Sequence, residues 1–502
     1  MAPQIRILAS LLLVVGAAFP GARRDIDTAD GRSFHLRVLA THDFHGALRP
    51  VAYPALNGRR LGGAAALKTL MDDLEGDCAC PTVRLDGGDQ MRGTLESDLT
   101  SGASSVAALN LLGLDAAAVG NHDLDWGVET LITRQREARY RWLAANVFRV
   151  DDGKRPAWAT PFTMLERDGV KVGLVGYATV STPRTLRPEV TKPYEFRPGY
   201  AAIRDAVDAV WKEHPAFVII VAHAAGDCDA DRCAGEAVEL AAEIPDGRVQ
   251  LIVGGHDHSP GEGVVKGVPI VRSGSNGRAI AIVDLHRRLD GTRRFATSTR
   301  TVDADRVPLD RAMVDLLAPY LRAADARGNE RVTTLREPLS ASSTGDRRLG
   351  GLIAEAARLA ARADVGLHNP GGVRADLPRG DVSYADVYRV LPFANDVVRL
   401  TLTGRQLREL VERTGPRYYY SNLRVQYDAT ASRGRSVRAM RLSDGTQIRD
   451  DRSYTLATND YLADGGDALT MLTALERKVL GITTVDAVVG HLRKRQPSQT
   501  LH

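Results

Sequence analysis

The sequence predicts an α/β protein of two domains. Short apolar runs alternate with amphipathic stretches from about residue 35 to residue 285, and the same rhythm resumes after residue 332. Apolar runs of this length, bounded by polar and glycine-rich turns, read as strands buried on both faces. They fall at residues 36–40, 82–85, 116–119, 172–175, 217–222 and 249–253, with helix-like segments at 64–74, 128–139 and 200–213. Residues 303–331 read as a connector containing a helix. Residues 332–495 form the second α/β region, with a helix at 351–362 and strands at 397–402 and 423–428. The first domain is accordingly expected over residues 34–302.

A chain of 502 residues suits two large domains. With 44% apolar and 25% charged residues it has the composition of a soluble globular protein. The net charge of +4 comes without a basic stripe interleaved with aromatics, so a nucleic-acid polymer is not an expected partner. Arg6, the apolar run 7–19 and the small residues ending at Ala22 predict a secretory signal peptide over residues 1–22, with an uncleaved anchor as the rival. That run is short for a membrane span of about 20 residues. No later run is long enough, so export to the periplasm, cell surface or medium is expected, without a stable membrane span in the mature chain. Exported cysteines are usually paired. Cys228 with Cys233 is a plausible bridge. Cys78 and Cys80 are so close that pairing across the two loops stays open, as does a zinc knuckle.

The chemistry is signalled by position. Five apolar runs each end in metal-binding side chains: Thr41-His42-Asp43-Phe44-His45-Gly46, Asp86-Gly87-Gly88-Asp89, Gly120-Asn121-His122-Asp123-Leu124-Asp125, His223 followed by Gly226-Asp227, and Gly254-Gly255-His256-Asp257-His258. Ligands of α/β sheets bind outside the carboxyl ends of strands, so five such clusters should meet in one crevice. A single histidine there is ordinarily a satisfied surface or core residue. That reading would have to hold repeatedly at equivalent positions, since six of the twelve histidines lie in these clusters. Imidazole, carboxylate and amide oxygen together suit Zn, Mn, Fe or Co. Seven candidate ligands exceed one tetrahedral ion, so two divalent metal ions are expected, with Asp89 between glycine-rich turns as the bridge. Two such ions bring four positive charges and Asp43 and Asp89 cancel two. The remainder suits a phosphate dianion, and such centres lower the pKa of bound water and clamp both oxygens of an in-line displacement.

Thr-His-Asp-Phe-His-Gly, Gly-Asp-Gln-Met-Arg-Gly-Thr (88–94), Gly-Asn-His-Asp-Leu-Asp and Gly-Gly-His-Asp-His resemble the calcineurin-like metallophosphoesterases. Their order and spacing are similar to the 5'-nucleotidase/UDP-sugar hydrolase/2',3'-cyclic phosphodiesterase family. The resemblance implies an N-terminal β-sandwich flanked by helices and a C-terminal substrate-binding domain. It implies Asp43, His45, Asp89 and His258 at one metal, and Asp89, Asn121, His223 and His256 at the other. His122 with Asp125 resembles the family's catalytic dyad, Asp125 orienting His122 and His122 stabilising the phosphoryl oxygens. His42 stands where the family commonly has Asn.

His368-Asn369-Pro370-Gly371-Gly372-Val373-Arg374 resembles the family's substrate loop, and Leu391-Pro392-Phe393-Ala394-Asn395 its Pro-Phe-x-Asn segment. Asn369 and Arg374 are therefore expected at the substrate. A tight glycine turn with a solvated arginine is the plainer reading. Gly466-Asp467-Ala468-Leu469 lacks the aromatic that usually follows Gly-Gly-Asp-Gly, so Leu469 is expected to cover the base. One of Tyr418, Tyr419 or Tyr420, represented by Tyr419, is expected to stack opposite it. The expected activity is release of phosphate from nucleotides by water activated at the metals. The alternatives are a 2',3'-cyclic nucleotide phosphodiesterase, a UDP-sugar diphosphatase, a non-nucleotide phosphoesterase, or a metal-containing surface binding protein.

Overall fold

The computed structural model describes residues 33–494 apart from 54–55, 57, 230–231, 289, 342–344, 394 and 429–435. The expected signal peptide lies outside the described residues. Among them, no helix is long and apolar enough to cross a membrane.

The first domain is two six-stranded sheets face to face. One runs in the order Arg293–Thr301, Ala279–Arg288, Ser33–Thr41, Thr82–Asp86, Ala116–Ala118, Arg141–Leu143. The other runs Gly261–Val265, Val268–Arg272, Leu251–Val253, Phe217–His223, Val170–Ala178, Phe162–Arg167. The central pairs are parallel, as is the Arg141–Leu143 edge, and the other three edges are antiparallel.

Strand alternation explains why the runs are apolar throughout. Leu36, Val38 and Ala40 point into the space between the sheets, where they meet Leu174, Ile219 and Val221. Leu39, on the other face, packs with Leu67, Met71 and Leu109 of the helices Ala64–Gly76 and Ala103–Leu112. Val218 and Ile220 likewise turn outward onto Val207, Val210 and Leu240 of the helices Arg204–Lys212 and Glu236–Glu243. The result is a helix–sheet–sheet–helix sandwich. The helix expected at 200–213 is split, because Ile203 at φ −115° separates a short 3₁₀ turn from the α-helix.

The helix Arg311–Gly328 starts at Asp310, whose carboxylate accepts the N–H of Met313 at 2.7 Å, and carries Pro319 internally. It packs on the first domain through Met313 and Leu317 and on later residues through Ala324. Beyond it lies a five-stranded sheet in the order Tyr419–Ser421, Val365–His368, Ser453–Asn459, Asp396–Thr403, Glu476–Thr483. Leu407 and Leu410 of the helix Gly404–Thr414 cover one face and Ala357 and Ala487 the other.

Both cysteine pairs are local, Cys78–Cys80 and Cys228–Cys233. Pairing across the loops is excluded by topology. Cys78 and Cys80 precede the strand Thr82–Asp86, whereas Cys228 follows the strand Phe217–His223, so the two pairs lie at opposite ends of the sandwich.

Candidate active site

The carboxyl ends of both sheets bring the predicted clusters together. Asp43 and His45 follow Ser33–Thr41, Asp89 follows Thr82–Asp86, and Asn121 and His122 follow Ala116–Ala118, all in the first sheet. His223 ends its strand and His256 and His258 follow Leu251–Val253, both in the second. Five of these residues hold left-handed backbone: Asp43 (φ 50°), His45 (51°), Asp89 (59°), His256 (84°) and His258 (62°). Each such non-glycine residue costs about 1–3 kcal/mol and persists only where its surroundings hold it. Here the Asp43 N–H donates to Gly88 O and the His45 N–H to Asp89 O, both at 2.9 Å. The His256 N–H donates to Asp43 Oδ2 at 2.7 Å. Two glycines make the approach feasible. A Cβ on Gly120 would stand 2.1 Å from Asp89 Oδ1, and one on Gly88 2.8 Å from His223 Nδ1.

The side chains face one another in two overlapping groups. Asp43 Oδ1 is 3.5 Å from His45 Nε2 and 3.4 Å from His258 Nε2, and the two imidazole nitrogens are 3.0 Å apart. His223 Nε2 is 3.2 Å from Asp89 Oδ2, 3.0 Å from Asn121 Oδ1 and 3.2 Å from His256 Nδ1. Asp89 Oδ2 also lies 3.8 Å from His45 Nε2, so this carboxylate stands between the groups while its Oδ1 accepts the His122 N–H at 2.7 Å.

The donor set fits cations. Asp43 Oδ1 is buried without a hydrogen-bond partner among the described residues, a cost that a bound ion would offset. His45 Nδ1 rests on Arg92 O at 2.6 Å and His223 Nδ1 on Gly87 O at 2.8 Å. Those contacts take the proton of each Nδ1, so each Nε2 faces the cluster as the atom that would bind an ion, as for metal-ligating histidines. His42, a departure from the family pattern, is buried between Gly274, whose N–H donates to its Nε2 at 2.7 Å, and Asp43 Oδ2, 2.6 Å from its Nδ1. It therefore presents its proton to Asp43 and orients that carboxylate.

Charge balance follows the same lines. Burial by itself would raise Asp89, but His223, His122 and His45 hold it well below the usual carboxylate range. Burial would lower His223, but Asp89 and Asp43 push it up to about 10. Burial and the nearby His223 push His256 down to about 4, and burial with His45 pushes His258 down to about 3. Protons thus stand in for cations at His223, while His256 and His258 keep free lone pairs. Cation binding must displace those protons, which makes it pH-dependent.

His122 lies beside the cluster, its ring 5.7 Å from that of His45. Its Nδ1 is 3.1 Å from Asp125 Oδ2, and Phe393 from the C-terminal region stacks on the ring at 4.9 Å. Arg92 joins the regions by donating to the carbonyls of Pro392 and Phe393. The Tyr388 hydroxyl donates to Asp98 across the same seam. The Asp98 side chain is only 7% exposed, and burial pushes its carboxyl up to about 6 despite Arg92 and Tyr388. Between the ordinary aspartate pKa and that value, folded Asp98 retains a proton that the unfolded chain has released. Its contribution to stability therefore falls as pH rises from about 4 to about 6, by roughly 3 kcal/mol. Asp98→Asn should remove that component. Urea unfolding of both proteins at about pH 4 and about pH 7 checks it, and parallel pH dependences would contradict the assignment.

The substrate-side expectations fare unevenly. Arg374 reaches the cluster, its guanidinium 3.4 Å from His258 Nδ1 and 5.7 Å from the Phe393 ring centroid. Asn369 is 5% exposed and its Oδ1 accepts from Asn459 Nδ2 at 3.0 Å, so it braces the loop from below. Leu469 and Tyr419 need correction. Leu469 is 3% exposed in the core of the C-terminal five-stranded sheet, and Tyr419 is 2% exposed, packed against Gly350 under the Arg347 guanidinium. Neither presents a face to a ligand, because the local backbone turns both side chains into the core. Tyr418 points the other way, as alternation along the chain there requires, and its hydroxyl donates to Asp467 at 2.7 Å, with Tyr461 at the same distance on the other oxygen.

Three residues escaped the sequence reading of the site. Arg92 and Phe393 carry no signal beyond their place in the quoted motifs. Asp123, inside the Gly-Asn-His-Asp motif, accepts the N–H groups of Gly120, Asp89 and Gln90 at 2.9–3.0 Å and ties two ligand loops together.

Comparison with known proteins agrees with this architecture. The model of the 5'-nucleotidase C-terminal domain matches residues 329–474, and that of a bacterial capsule synthesis protein (PGA_cap) matches residues 80–276. A 5'-nucleotidase of Vibrio parahaemolyticus is 27% identical, covering 93% of this chain and 90% of its own. Protein UshA of Yersinia enterocolitica is 25% identical, covering 93% and 92%. The crystal structure of a 5'-nucleotidase precursor from Thermus thermophilus superposes with a TM-score of 0.79 at 23% identity, over 92% of this chain and 96% of that one. Fold, site and relatives together define a phosphoester hydrolase with a two-sheet N-terminal domain and a separate C-terminal domain. Within that class, the chain is similar to 5'-nucleotidases over most of its length, and its residues 329–474 match their C-terminal domain.

Proposed function

We propose that this protein is an exported, metal-dependent hydrolase that releases phosphate from nucleotides. The observation that carries the reading is the convergence of Asp43, His45, Asp89, Asn121, His223, His256 and His258 beside a histidine oriented by its own carboxylate, at 3.1 Å. Two divalent cations fit this donor set, one held by Asp43, His45, Asp89 and His258, the other by Asp89, Asn121, His223 and His256. Such a pair lowers the pKa of water and neutralises phosphoryl oxygens. Asp125 orients His122, whose Nε2 is left to donate to a phosphoryl oxygen or to the departing ester oxygen. Arg374 supplies positive charge at the cleft, and Phe393 with Arg92 keeps His122 in register. Residues 34–302 supply the reacting groups, residues 332–495 bind the organic part of the substrate, and residues 303–331 join them. The names of the relatives, 5'-nucleotidases among them, support a nucleotide substrate.

The inward Leu469 and Tyr419 favour a second reading, in which the ester is not a nucleotide. Phosphate release should be measured on AMP, UMP, a 3'-nucleotide, a 2',3'-cyclic nucleotide, UDP-glucose and a sugar phosphate, with added Zn, Mn or Co and a chelator control. The expected result is chelator-sensitive release that is greatest from 5'-monophosphates. Release only from other esters keeps the chemistry and replaces the substrate. Release that survives exhaustive chelation rules out the metal assignment.

A further inference from the structure

A second group of metal-ligating side chains lies at the other end of the sandwich. His35, Cys78, Cys80 and Asp284 each offer a ligand atom, all within 4.8 Å of one another and all partly exposed. His35 opens the first strand and Asp284 lies near the end of its antiparallel neighbour, where His35 pairs with His286 and Arg37 with Asp284. The loop carrying the cysteines is tied in by the Arg37 N–H, which donates to Pro81 O at 2.9 Å. From His35 to the candidate active site is about six residues of strand, roughly 20 Å, so the two groups are independent.

The disulfide explains the two cysteines but not the company they keep. His35 Nε2 points at Asp284 Oδ1 at 3.3 Å, and His286 stacks on the His35 ring at 4.1 Å, fixing its plane. Arg37 grips Asp284 with two donors at 2.9 Å each, so the carboxylate is held in place and charge-balanced. Two thiolates, one imidazole and one carboxylate form a tetrahedral zinc set, whose ligand atoms stand roughly 3.3–3.8 Å apart. The charges close as well. A divalent ion with two thiolates and one carboxylate leaves one negative charge, which Arg37 neutralises. The Cys78–Cys80 bridge spans one intervening residue, so chain entropy contributes little to keeping it closed. Its partial exposure leaves it open to exchange. Among the described residues, Cys228 and Cys233 belong to no such group.

We propose that reduction of the Cys78–Cys80 bond converts this cluster into a zinc site made of His35, Cys78, Cys80 and Asp284, a thiol-gated metal site separate from the hydrolytic centre. A dithiol supplies two electrons and two protons and becomes a disulfide; a phosphine supplies two electrons and becomes a phosphine oxide, with one water giving its oxygen to phosphorus and its two protons to the sulfurs. Each thiol releases its proton as it binds the ion.

The test is metal titration of the full chain before and after treatment with a phosphine, using cadmium as the probe because thiolate ligation gives it an ultraviolet charge-transfer band. Reduced protein should take up one equivalent more than oxidised protein, and the band should accompany that equivalent. Cys78→Ser/Cys80→Ser should lose both while its phosphate release stays at the wild-type rate, and Cys228→Ser/Cys233→Ser should retain both. His35→Gln keeps the thiols and serves if the double variant does not fold; its affinity for the extra equivalent should fall at least about tenfold. Equal uptake in the two redox states, a band that persists without Cys78 and Cys80, or wild-type affinity in His35→Gln would each overturn the proposal.

Discussion

His122→Ala should keep its bound metal and lose about 10²–10³-fold in kcat, the effect of removing one positioned transition-state donor. The His122 ring lies beside the two ligand groups and engages Asp125 through Nδ1, and its backbone N–H donates to Asp89. Alanine keeps that N–H, so the Asp89 loop should hold its shape. Asp125→Asn leaves an oxygen acceptor but no charge and should give a smaller loss. Metal analysis alongside steady-state kinetics separates the outcomes. Loss of metal in His122→Ala would make it a ligand, and an unchanged kcat would remove it from the chemistry.

Asp89→Asn should lose metal from both positions and with it essentially all turnover. Asp89 is 1% exposed, and its Oδ2 faces both His223 and His45. An amide retains the hydrogen bond from His122 but brings no negative charge, so two cations would share only Asp43. Burying that uncompensated charge is unfavourable by several kcal/mol. Mass-spectrometric metal counts decide the matter, since two ions retained per chain would end the bridging role.

Much of this was legible beforehand because the signals are local. A strand buried on both faces is a continuous apolar run, and a ligand loop at its carboxyl end is the polar cluster that follows. Those two facts brought Asp43, His45, Asp89, Asn121, His223, His256 and His258 to notice without coordinates. The pairwise assignment of ligands came from resemblance; the structure places Asp89 Oδ2 3.2 Å from His223 Nε2 and 3.8 Å from His45 Nε2. Exposure within a strand or loop was harder to read. Leu469 and Tyr419 were expected to face a ligand and instead fill the C-terminal core. A run of three tyrosines carries no indication of which ring turns inward, and here Gly350 on the facing helix makes room for Tyr419.

The sequence by itself determined the order of strands and ligand loops, the residue types at the centre and the two-domain division of labour expected of them. These follow from periodicity and side-chain chemistry, which each segment carries alone. Only the tertiary structure decided that the strands divide between two sheets with their ligand-bearing ends at one edge. It also decided that Phe393 and Arg92 join the regions around His122, and that His35, Asp284, Cys78 and Cys80 share one corner. Those contacts link residues far apart in the chain. They exist because burying both faces of every strand forces the sheets together, and no segment records which distant partner it will meet.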